Sequence, residues 1–519
     1  MSRFPSFRDA RTVATGSTID AEICIIGGGA AGIALARALA GTGRRIALLE
    51  TGGLNYEADV HALGTIENVG RPYHTEGCRL RYLGGTTNHW GGHCVPLQPS
   101  DLEHRPWIAH SGWPIDMTEL APYYARAHRT IEIGPVSYDP APVAERLGLP
   151  LLPLAGPVET TLSRYHRQRF GIRYADALDA APNVEVHLYA TVTALAPDPN
   201  GSRVTHATVR TLAGNTFTVR AGRYVLAAGG IENARLLLDS EAGDPAGLGN
   251  GLGLVGRYFN EHISYYSGLL LPREPQLNPL YLEEHPVGTD VDRRVRTHIA
   301  LTAGATRALR IPKFRAELVA SSELLQSLEN VRELSFALSD LRAVMSRPRA
   351  FYRHLRWRIP PEATDAYLLN NYVEQIPNPE SRVSLSGTRN ALGQRIARLD
   401  WRLSPGDKRG IRLAHEAIAR EAGRSGFGRF RHDLPEDDAE ERLLDGAVGG
   451  FHHMGTTRMS DDPSRGVVDA NCRMHEVENV FIAGSSVFPA AGWPNPTLTI
   501  VALAERLADH LARETARDP

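Results

Sequence analysis

A glycine-rich turn near the N-terminus restricts the possible folds of this chain more than any other feature. Within residues 21–40 an apolar, isoleucine-rich run precedes the turn, and a run of small residues with helical character follows it. Gly27, Gly29 and Gly32 form the pattern G-x-G-x-x-G, and the next apolar run ends in Glu50. Glycines permit a tight turn and close approach of a pyrophosphate, the helix N-terminus favours its negative charge, and the acid can bind ribose hydroxyls. The segment therefore predicts a dinucleotide-binding unit.

A second small-residue turn bears on which dinucleotide is bound. Residues 224–230 read Tyr-Val-Leu-Ala-Ala-Gly-Gly, a strand that runs into a turn at Ala228. FAD enzymes use this pattern to bring backbone near the dinucleotide a second time. The alternative interpretation is one more buried strand. We favour FAD and take Ala228 as a cofactor-binding residue.

Apolar strand segments are spread along the whole chain. Runs like the first one return at 45–50, 223–228 and 479–483, which predicts one parallel sheet assembled from distant parts of the sequence. Residues 184–225 alternate in polarity and are broken by two turn signals, as in a β-meander. A chain of 519 residues is too long for one core. We therefore expect more than one domain.

The predicted fold class is α/β. A Rossmann-like FAD-binding domain with a parallel sheet and an inserted β-meander is interleaved with an α+β substrate-binding domain built on an antiparallel sheet. The FAD-binding domain is predicted to comprise residues 17–100, 190–265 and 445–519. The substrate-binding domain is predicted to comprise residues 101–189 and 266–444.

Charge and cysteine content exclude several classes of function. The net charge is −2, so the chain has no electrostatic footprint for nucleic acid. The four cysteines are scattered without CxxC spacing, which argues against an iron–sulfur or zinc centre and favours a reduced cytoplasmic location. We predict no metal site, no membrane-spanning segment and no secretory signal. Residues 1–20 are expected to form a short disordered arm.

A polar, glycine-rich loop is the next site candidate. Residues 84–92 read Gly-Gly-Thr-Thr-Asn-His-Trp-Gly-Gly, with too many glycines for a helix or strand and too many polar side chains for a buried connection. Glycines let the backbone pass against a flat ring, while threonine and asparagine can form hydrogen bonds with its edge. The predicted cofactor contacts in this loop are Gly85, Thr86, Asn88 and His89.

These motifs together resemble the glucose-methanol-choline (GMC) oxidoreductase family of FAD-dependent alcohol oxidases and dehydrogenases. The resemblance covers the first glycine motif, the loop 84–88, residues 227–233, Val255-Gly256-Arg257 leading to Glu261-His262, and the C-terminal 70 residues. Residues 270–365 match poorly, and in this family that region shapes the substrate pocket. The resemblance implies further cofactor contacts from Val192, Gly484, Ser485, Pro496 and Thr497.

His89 has two interpretations within the family. The segment Thr86-Asn88-His89-Trp90 is similar to that of pyranose oxidases, in which the histidine carries a covalent bond to the flavin 8α-methyl group. Gly91 stands where those oxidases have a hydroxyl residue, and a similar His-Trp occurs in sugar and polyol dehydrogenases. FAD attached covalently through His89 is one hypothesis. A packed or hydrogen-bonded imidazole is the other.

The catalytic hypothesis rests on two C-terminal segments. Family members carry His-x-x-Gly-Thr, which maps onto His452, Gly455 and Thr456, and a histidine can accept the hydroxyl proton of an alcohol. Asn495 precedes Pro496 at the start of a predicted helix, where asparagine is a favoured N-cap. In the resembling enzymes this asparagine also binds the substrate oxygen. We therefore predict His452 as the base and Asn495 as its partner.

The resemblance implies FAD-dependent oxidation of an alcohol, with hydride transfer to flavin N5. A sugar, glycoside or polyol is the expected substrate, because the His-Trp loop is similar to the pyranose oxidase and sugar dehydrogenase branch. Oxygen, a quinone or another acceptor would reoxidise the flavin, and the oligomeric state is not predicted. Two alternatives stay open: a catalytic subunit of a membrane-linked dehydrogenase that passes electrons to a cytochrome, and a non-redox FAD-containing lyase. The arginine-rich stretch 342–358 is interpreted as a solvated helix or lid, or as a contact with a membrane or partner.

Overall fold

The computed structural model describes residues 4–274, 277–332, 338–348, 352, 365–432, 434, 444 and 446–515. Much of the arginine-rich stretch, namely residues 349–351 and 353–358, lies outside this part of the chain. The interpretation of that stretch therefore stays a prediction.

The first sheet combines parallel strands with an antiparallel meander. Its strands follow the order Phe7–Asp9, Val184–Leu188, Ile46–Leu49, Thr18–Ile26, Thr216–Leu226, Val204–Arg210 and Thr191–Pro197. Val480–Ile482 adds in parallel to Thr216–Leu226, and pairing is antiparallel only within the meander. The central strands bury apolar side chains on both faces, because helices cover the sheet on either side.

The second sheet is antiparallel. Its strands follow the order Gly428–Arg431, His262–Pro272, Ala366–Glu374, Phe314–Ser321, Asp290–Leu301, Val158–His166 and His93–Cys94. His285–Val287 pairs with Asp290–Leu301, and Val448–Gly449 pairs with His262–Pro272. Together the two sheets confirm the predicted fold class. A further small sheet has the order Arg382–Arg389, Arg395–Asp400 and Ile66–Asn68.

The antiparallel sheet has two faces of opposite character, since side chains alternate along each strand. One face is apolar and packs against the helix Pro405–Arg424, with residues such as Ile263, Ile299 and Phe314 buried in a common core. We call the other face the polar face. It carries Thr161, Ser163, His262, Ser264, Arg296, His298, Arg315, Glu317, Asn370 and Tyr372.

Local sequence signals account for the ends of several helices. The helix Pro405–Arg424 begins with proline after Ser404, whose side chain forms a reciprocal capping box with Asp407. Asp116 caps the helix Met117–Ile131 through the backbone N–H of Glu119. The other α-helices in the described part of the chain are Ala30–Leu39, Ala58–Ala62, Pro99–Leu102, Ala141–Leu147, Phe170–Asp179, Gly230–Asp239, Pro279–Leu282, Ala303–Leu309, Glu323–Arg332, Leu338–Ser346 and Thr497–Thr515. Short 3₁₀ turns occupy Ala10–Thr12, Gly85–Asn88 and Ser485–Val487.

The parallel sheet recruits two segments that the sequence placed elsewhere. Val184–Leu188 pairs with Ile46–Leu49, although the predicted division assigned it to the substrate-binding domain. Phe7–Asp9 then pairs with Val184–Leu188, so the expectation of a disordered arm over residues 1–20 is wrong for this part. Strand pairing satisfies backbone groups in a segment with little apolar pattern of its own, which is why composition did not predict it. The division into domains stays a prediction.

In the part of the chain that is described, no helix is both long enough and apolar enough to cross a membrane.

Candidate active site

A cavity of about 650 Å³ lies at the carboxyl ends of the parallel strands. The strands that end at Ile26, Leu49, Leu226 and Ile482 each lead directly into residues that line it. In open α/β sheets this edge is where ligands bind, because the strand-to-helix turns place backbone N–H groups and helix N-termini there. The cavity also reaches His93 on the edge strand of the antiparallel sheet.

The first glycine turn brings backbone segments into close contact. Gly27 has φ of +113°, and a Cβ atom there would lie 2.6 Å from the carbonyl oxygen of Ala227. Gly29 lines the cavity and forms the N-cap of the first helix without any side-chain cap. Gly32 lies behind the cavity wall, where a Cβ would meet the Gly27 oxygen at 1.9 Å. Gly32 therefore acts by letting the helix pack on the turn.

Glu50 lies in the cavity wall beside this turn. Its carboxylate accepts hydrogen bonds from the backbone N–H groups of Gly28, at 2.7 Å, and Gly52, at 3.0 Å. Burial raises the pKa of the Glu50 carboxyl, partly offset by these N–H groups and by the charge of Arg81. The position suits an acceptor for a sugar hydroxyl.

The loop 84–92 brings most of its predicted residues to the cavity. Gly85, Thr86 and His89 line it, with His89 exposed at the rim. Partial burial, together with the charge of Arg169, lowers the pKa of His89. Asn88 does not line the cavity, because its side chain donates to the carbonyl oxygen of Leu83 at 3.0 Å. Asn88 thus holds the loop in place rather than facing a ligand.

The remaining predicted cofactor contacts all lie in the cavity wall. They are Val192, Ala228, Gly484, Ser485, Pro496 and Thr497.

The two predicted catalytic side chains meet in the same cavity. Asn495 Nδ2 lies 3.2 Å from His452 Nε2, although the residues are 43 positions apart. Asn495 Oδ1 is buried and has no hydrogen-bond partner among the residues that the structure describes, and the helix begins at Thr497. The carboxamide therefore does not cap the helix, contrary to the expectation that Asn495 is its N-cap. It faces the imidazole instead.

A second histidine fixes the tautomer of His452. His262 Nε2 lies 2.9 Å from the carbonyl oxygen of Gly492, which can only accept, so this nitrogen carries the proton. His262 Nδ1 is then an acceptor for His452 Nδ1–H, at 2.8 Å. It follows that His452 Nε2 is the unprotonated nitrogen, and this is the atom beside Asn495.

Electrostatics keep the proposed base neutral. Burial lowers the pKa of His452 well below its usual value, and the neighbouring His262, His453 and Arg315 act in the same direction. Burial likewise lowers the pKa of His262 to about 4. At neutral pH both rings are therefore uncharged, and His452 Nε2 is available to accept a proton.

Comparison with known proteins places the chain in a family. The model of the GMC oxidoreductases matches residues 377–504, and that of the FAD dependent oxidoreductases matches residues 22–246. The chain is 26% identical to 6'''-hydroxyparomomycin C oxidase of Streptomyces lividus, with 99% of this chain and 95% of the relative covered. It is 24% identical to 2-methyl-1,2-propanediol dehydrogenase of Mycolicibacterium austroafricanum, with 96% of each covered. A solved formate oxidase superposes with a TM-score of 0.56 at 18% identity, covering 97% of this chain and all of that one.

This chain belongs to the GMC oxidoreductases, FAD-dependent enzymes that act on alcohols.

The cavity of this GMC oxidoreductase fits FAD. Two helices begin at it with glycine N-caps, Gly29 and Gly229, neither of which supplies a side-chain cap to the first backbone N–H groups. Arg79, Arg81 and Arg235 surround the single carboxylate of Glu232 at the same wall. Burial alone would raise the pKa of Glu232, but the charges of these arginines hold it well below its usual value. The wall therefore keeps a positive charge that suits a pyrophosphate.

Glu261 positions the loop that carries His452. It is fully buried and accepts the backbone N–H groups of Gly450, at 3.0 Å, and His452, at 2.8 Å, as well as the hydroxyl of Tyr73. Between these two anchor points Phe451 adopts φ of +60°, a strained conformation for a non-glycine residue. Burial raises the pKa of the Glu261 carboxyl to about 7. Two backbone anchors on one carboxyl group thus impose the turn at the base.

No role was predicted for Glu261 or His262 beyond a dipeptide shared with the family. They lie 191 and 190 positions before His452, a separation that leaves no periodic signal. The family motif was the available signal for these two residues. Among the described residues no group of three or more histidine, cysteine, aspartate or glutamate side chains is arranged to hold a metal ion.

Proposed function

We propose that this enzyme oxidises an alcohol group of a sugar, glycoside or polyol to a carbonyl, with His452 as the base and Asn495 as the residue that holds the substrate oxygen. The observation that carries the proposal is the contact of these two side chains at the cavity. Asn495 Nδ2 lies 3.2 Å from the lone pair of His452 Nε2. A substrate hydroxyl placed beside both atoms meets an acceptor for its proton and a donor for its oxygen.

The chain's own residues supply the proton chemistry. The substrate hydroxyl donates to His452 Nε2, and Asn495 Nδ2 donates to the same oxygen, which orients the carbon that loses hydride. The hydroxyl proton passes to Nε2 as the C–O bond gains double-bond character. When bound, FAD supplies the hydride acceptor at N5. The chain of His452, His262 and the Gly492 carbonyl keeps the accepting nitrogen turned toward the substrate.

A polar substrate is supported by the polar face of the antiparallel sheet, which adjoins the site through the contact of His262 with His452. The polar face of the antiparallel sheet presents hydroxyl, imidazole, amide and guanidinium groups, and several of their donors and acceptors have no protein partner. Among relatives, one is named for a hydroxyparomomycin, one for a propanediol and one for a C-glycoside. A hydroxyl-rich substrate would satisfy the polar groups that an alkyl alcohol would leave unpaired.

The test is anaerobic reduction of the holoenzyme. Hydroxyl-rich substrates such as D-glucitol and methyl D-glucoside are compared with hexanol, and loss of the oxidised flavin absorbance is followed over time. We expect the polyols to reduce the flavin faster than hexanol does. If none of a wide alcohol panel reduces the flavin, the proposed oxidation is wrong. Reoxidation by oxygen against dichlorophenolindophenol then distinguishes an oxidase from a dehydrogenase.

Covalent attachment of FAD through His89 is a separate proposal, supported by the place of that ring at the cavity rim. Acid precipitation gives a yellow pellet if the flavin is tethered and a yellow supernatant if it is not. In His89→Ala the colour is expected to move to the supernatant. A yellow supernatant from the wild type excludes the tether.

A further inference from the structure

Arg315 is the charged residue of the polar face with the fewest partners. Its side chain is fully buried, and it lies on the strand Phe314–Ser321 opposite Tyr372. Among the described residues its one ion-pair contact joins Nη1 to Glu317 Oε1 at 3.3 Å. Nε and Nη2 are buried and have no hydrogen-bond partner within this part of the chain. Burying a charged donor without a partner costs several kcal/mol in general, so a partner is expected from outside the chain.

The two unpartnered nitrogens form one edge of the guanidinium. Nε–H and Nη2–H point in parallel from the same side of the planar group, which matches the spacing of two oxygens in a carboxylate. Aromatic rings hold the plane: the Tyr372 centroid is 4.5 Å from the Arg315 Cζ atom, and the Trp493 centroid is 5.6 Å from it. The orphan groups therefore form a fixed fork rather than a flexible tip.

Nearby carboxylates have other cationic partners. Glu317 also lies 3.7 Å from the guanidinium of Arg296, so it is shared between two arginines. Glu374 forms a buried ion pair with Arg105. Glu159 lies in the same cross-strand row as Arg315, separated from it by Ala300, and its electrostatic partner is Lys313.

Arg315 also lies close to the proposed chemistry. Trp493, which packs against the guanidinium, is two residues from Asn495 in the turn that leads into the last helix. The Arg315 charge contributes to the lowered pKa values of His452, His262 and His93, after the larger effect of burial. Of these rings, His452 and His93 line the cavity. The guanidinium is therefore within electrostatic range of two cavity residues.

We propose that the Nε/Nη2 edge of Arg315 binds a carboxylate of the substrate, so that the alcohol oxidised here is a hydroxy acid such as an aldonate or a uronate. This inference rests on the proposed function and narrows it to one substrate class. It also predicts that amino sugars are poor ligands, because a buried guanidinium repels an ammonium group. The reaction itself is unchanged: the carboxylate is held and only the alcohol carbon is oxidised.

Three ligands that differ at one carbon provide the test. D-gluconate, D-glucitol and D-glucamine carry a carboxylate, a hydroxymethyl group and an aminomethyl group on the same polyol chain. Binding is measured as the shift of the oxidised flavin spectrum in a His452→Ala holoenzyme, where slowed chemistry leaves the equilibrium readable. We expect gluconate to bind roughly 10- to 100-fold more tightly than glucitol, as for hydrogen bonds to a charged group. Glucamine is expected to bind most weakly.

Two substitutions assign the preference to the fork. In the same background Arg315→Met is expected to abolish the advantage of gluconate over glucitol, while Arg315→Lys retains part of it because the charge persists without the paired donors. Arg307→Met, at an exposed arginine paired with Glu103, is the control and should keep the wild-type order. FAD content and melting temperature show whether each variant is folded. If Arg315→Met does not fold, the relative affinities of the three ligands for the protein that retains Arg315 provide the test.

Two results overturn the inference: equal affinity for gluconate and glucitol, and an advantage of gluconate that survives in a folded Arg315→Met protein. A failure of the proposed function would look different. In that case no alcohol, acidic or neutral, reduces the wild-type flavin, whatever the binding order. If neutral polyols reduce the flavin and the acid binds no more tightly, the carboxylate site is wrong and the proposed function stands.

Discussion

The two walls of the active-site cavity recognise their ligands by different means. The wall at the ends of the parallel strands is made of backbone, with glycines at Gly27, Gly29 and Gly229 and helix N-termini behind them. Another part of the wall is made of side chains: His93, His452 and Asn495 line it, and His262 and Arg315 lie on the antiparallel strands behind them. A site made of backbone tolerates few substitutions of its glycines, because an added Cβ atom would occupy the space where backbone or ligand approaches. A side-chain site can change its ligand by single substitutions, which suits a family with one cofactor and many substrates.

The largest expected effect is that of removing the imidazole of His452 from the side-chain wall. His452→Ala should retain FAD and lower the rate of flavin reduction about 10²- to 10⁴-fold, the usual contribution of a general base. The measurement is single-turnover anaerobic reduction by a polyol. His104→Ala, at an exposed histidine, is the control. An unchanged reduction rate in His452→Ala removes the assigned base.

A glycine pair tests the backbone wall. Gly27→Ala places a Cβ 2.6 Å from the Ala227 oxygen, whereas Gly43→Ala has a similarly positive φ and open space around the new atom. Both substitutions strain the backbone, but only the first also overlaps its neighbours, so we expect Gly27→Ala to cost about 2 kcal/mol more. Its FAD content should fall while that of Gly43→Ala is maintained. Equal FAD content in the two purified proteins would contradict the close-approach argument.

Substitution of His262 tests whether the reaction rate depends on the orientation of His452. His262→Phe keeps a ring but removes the acceptor for His452 Nδ1–H, so we expect a roughly 10- to 100-fold lower rate of flavin reduction, as for other residues that orient a functional group. The acid limb of the rate should also move to higher pH, since one influence that lowers the pKa of His452 is lost. His262→Asn offers an oxygen near the former Nδ1 position and should recover part of the rate. A purely structural role predicts an unshifted pH profile and no such recovery.

The smallest expected effect is the acid destabilisation caused by His415, which lies on the apolar side of the antiparallel sheet. Burial lowers the pKa of His415 to about 3, and its Nε2 faces Asn371 Oδ1 at 3.2 Å. Between that value and the unfolded pKa of about 6.5 the unfolded chain binds more protons, so stability is present above about pH 6.5 and is lost as pH falls. As the pH falls from about 7 to about 5, this histidine should lower the free energy of unfolding by about 2 kcal/mol.

His415→Gln removes the titrating ring, so its melting temperature should fall less over the same pH range. His104→Gln, at an exposed site, serves as the matched control and should follow the wild type. Thermal unfolding monitored by circular dichroism at each pH is sufficient. Identical pH slopes for His415→Gln and the wild type would show that this ring is not responsible for acid destabilisation.

The cofactor half of the molecule was largely predictable from the sequence, and the reason is local. A strand, a glycine turn and a helix are contiguous, so the pattern from residue 21 to Glu50 contains the geometry that it produces. The same holds for the meander and for the turn at Ala228. Asn88 departs from the prediction because its side chain had a nearer backbone partner, the Leu83 carbonyl, than any ligand.

In the substrate half, only the tertiary structure decided which side chains lie together. The sequence by itself determined that a histidine and an asparagine stand before a helix, but the fold decided that Asn495 faces His452 instead of capping that helix. The fold also brought His262 and Arg315 to the polar face, from strands whose order in the sheet differs from their order in the chain. Antiparallel pairing sets which side chains share a face, and pairing between distant strands leaves no periodic trace in the sequence. That is why the cofactor could be inferred from motifs, whereas the argument for the substrate required coordinates.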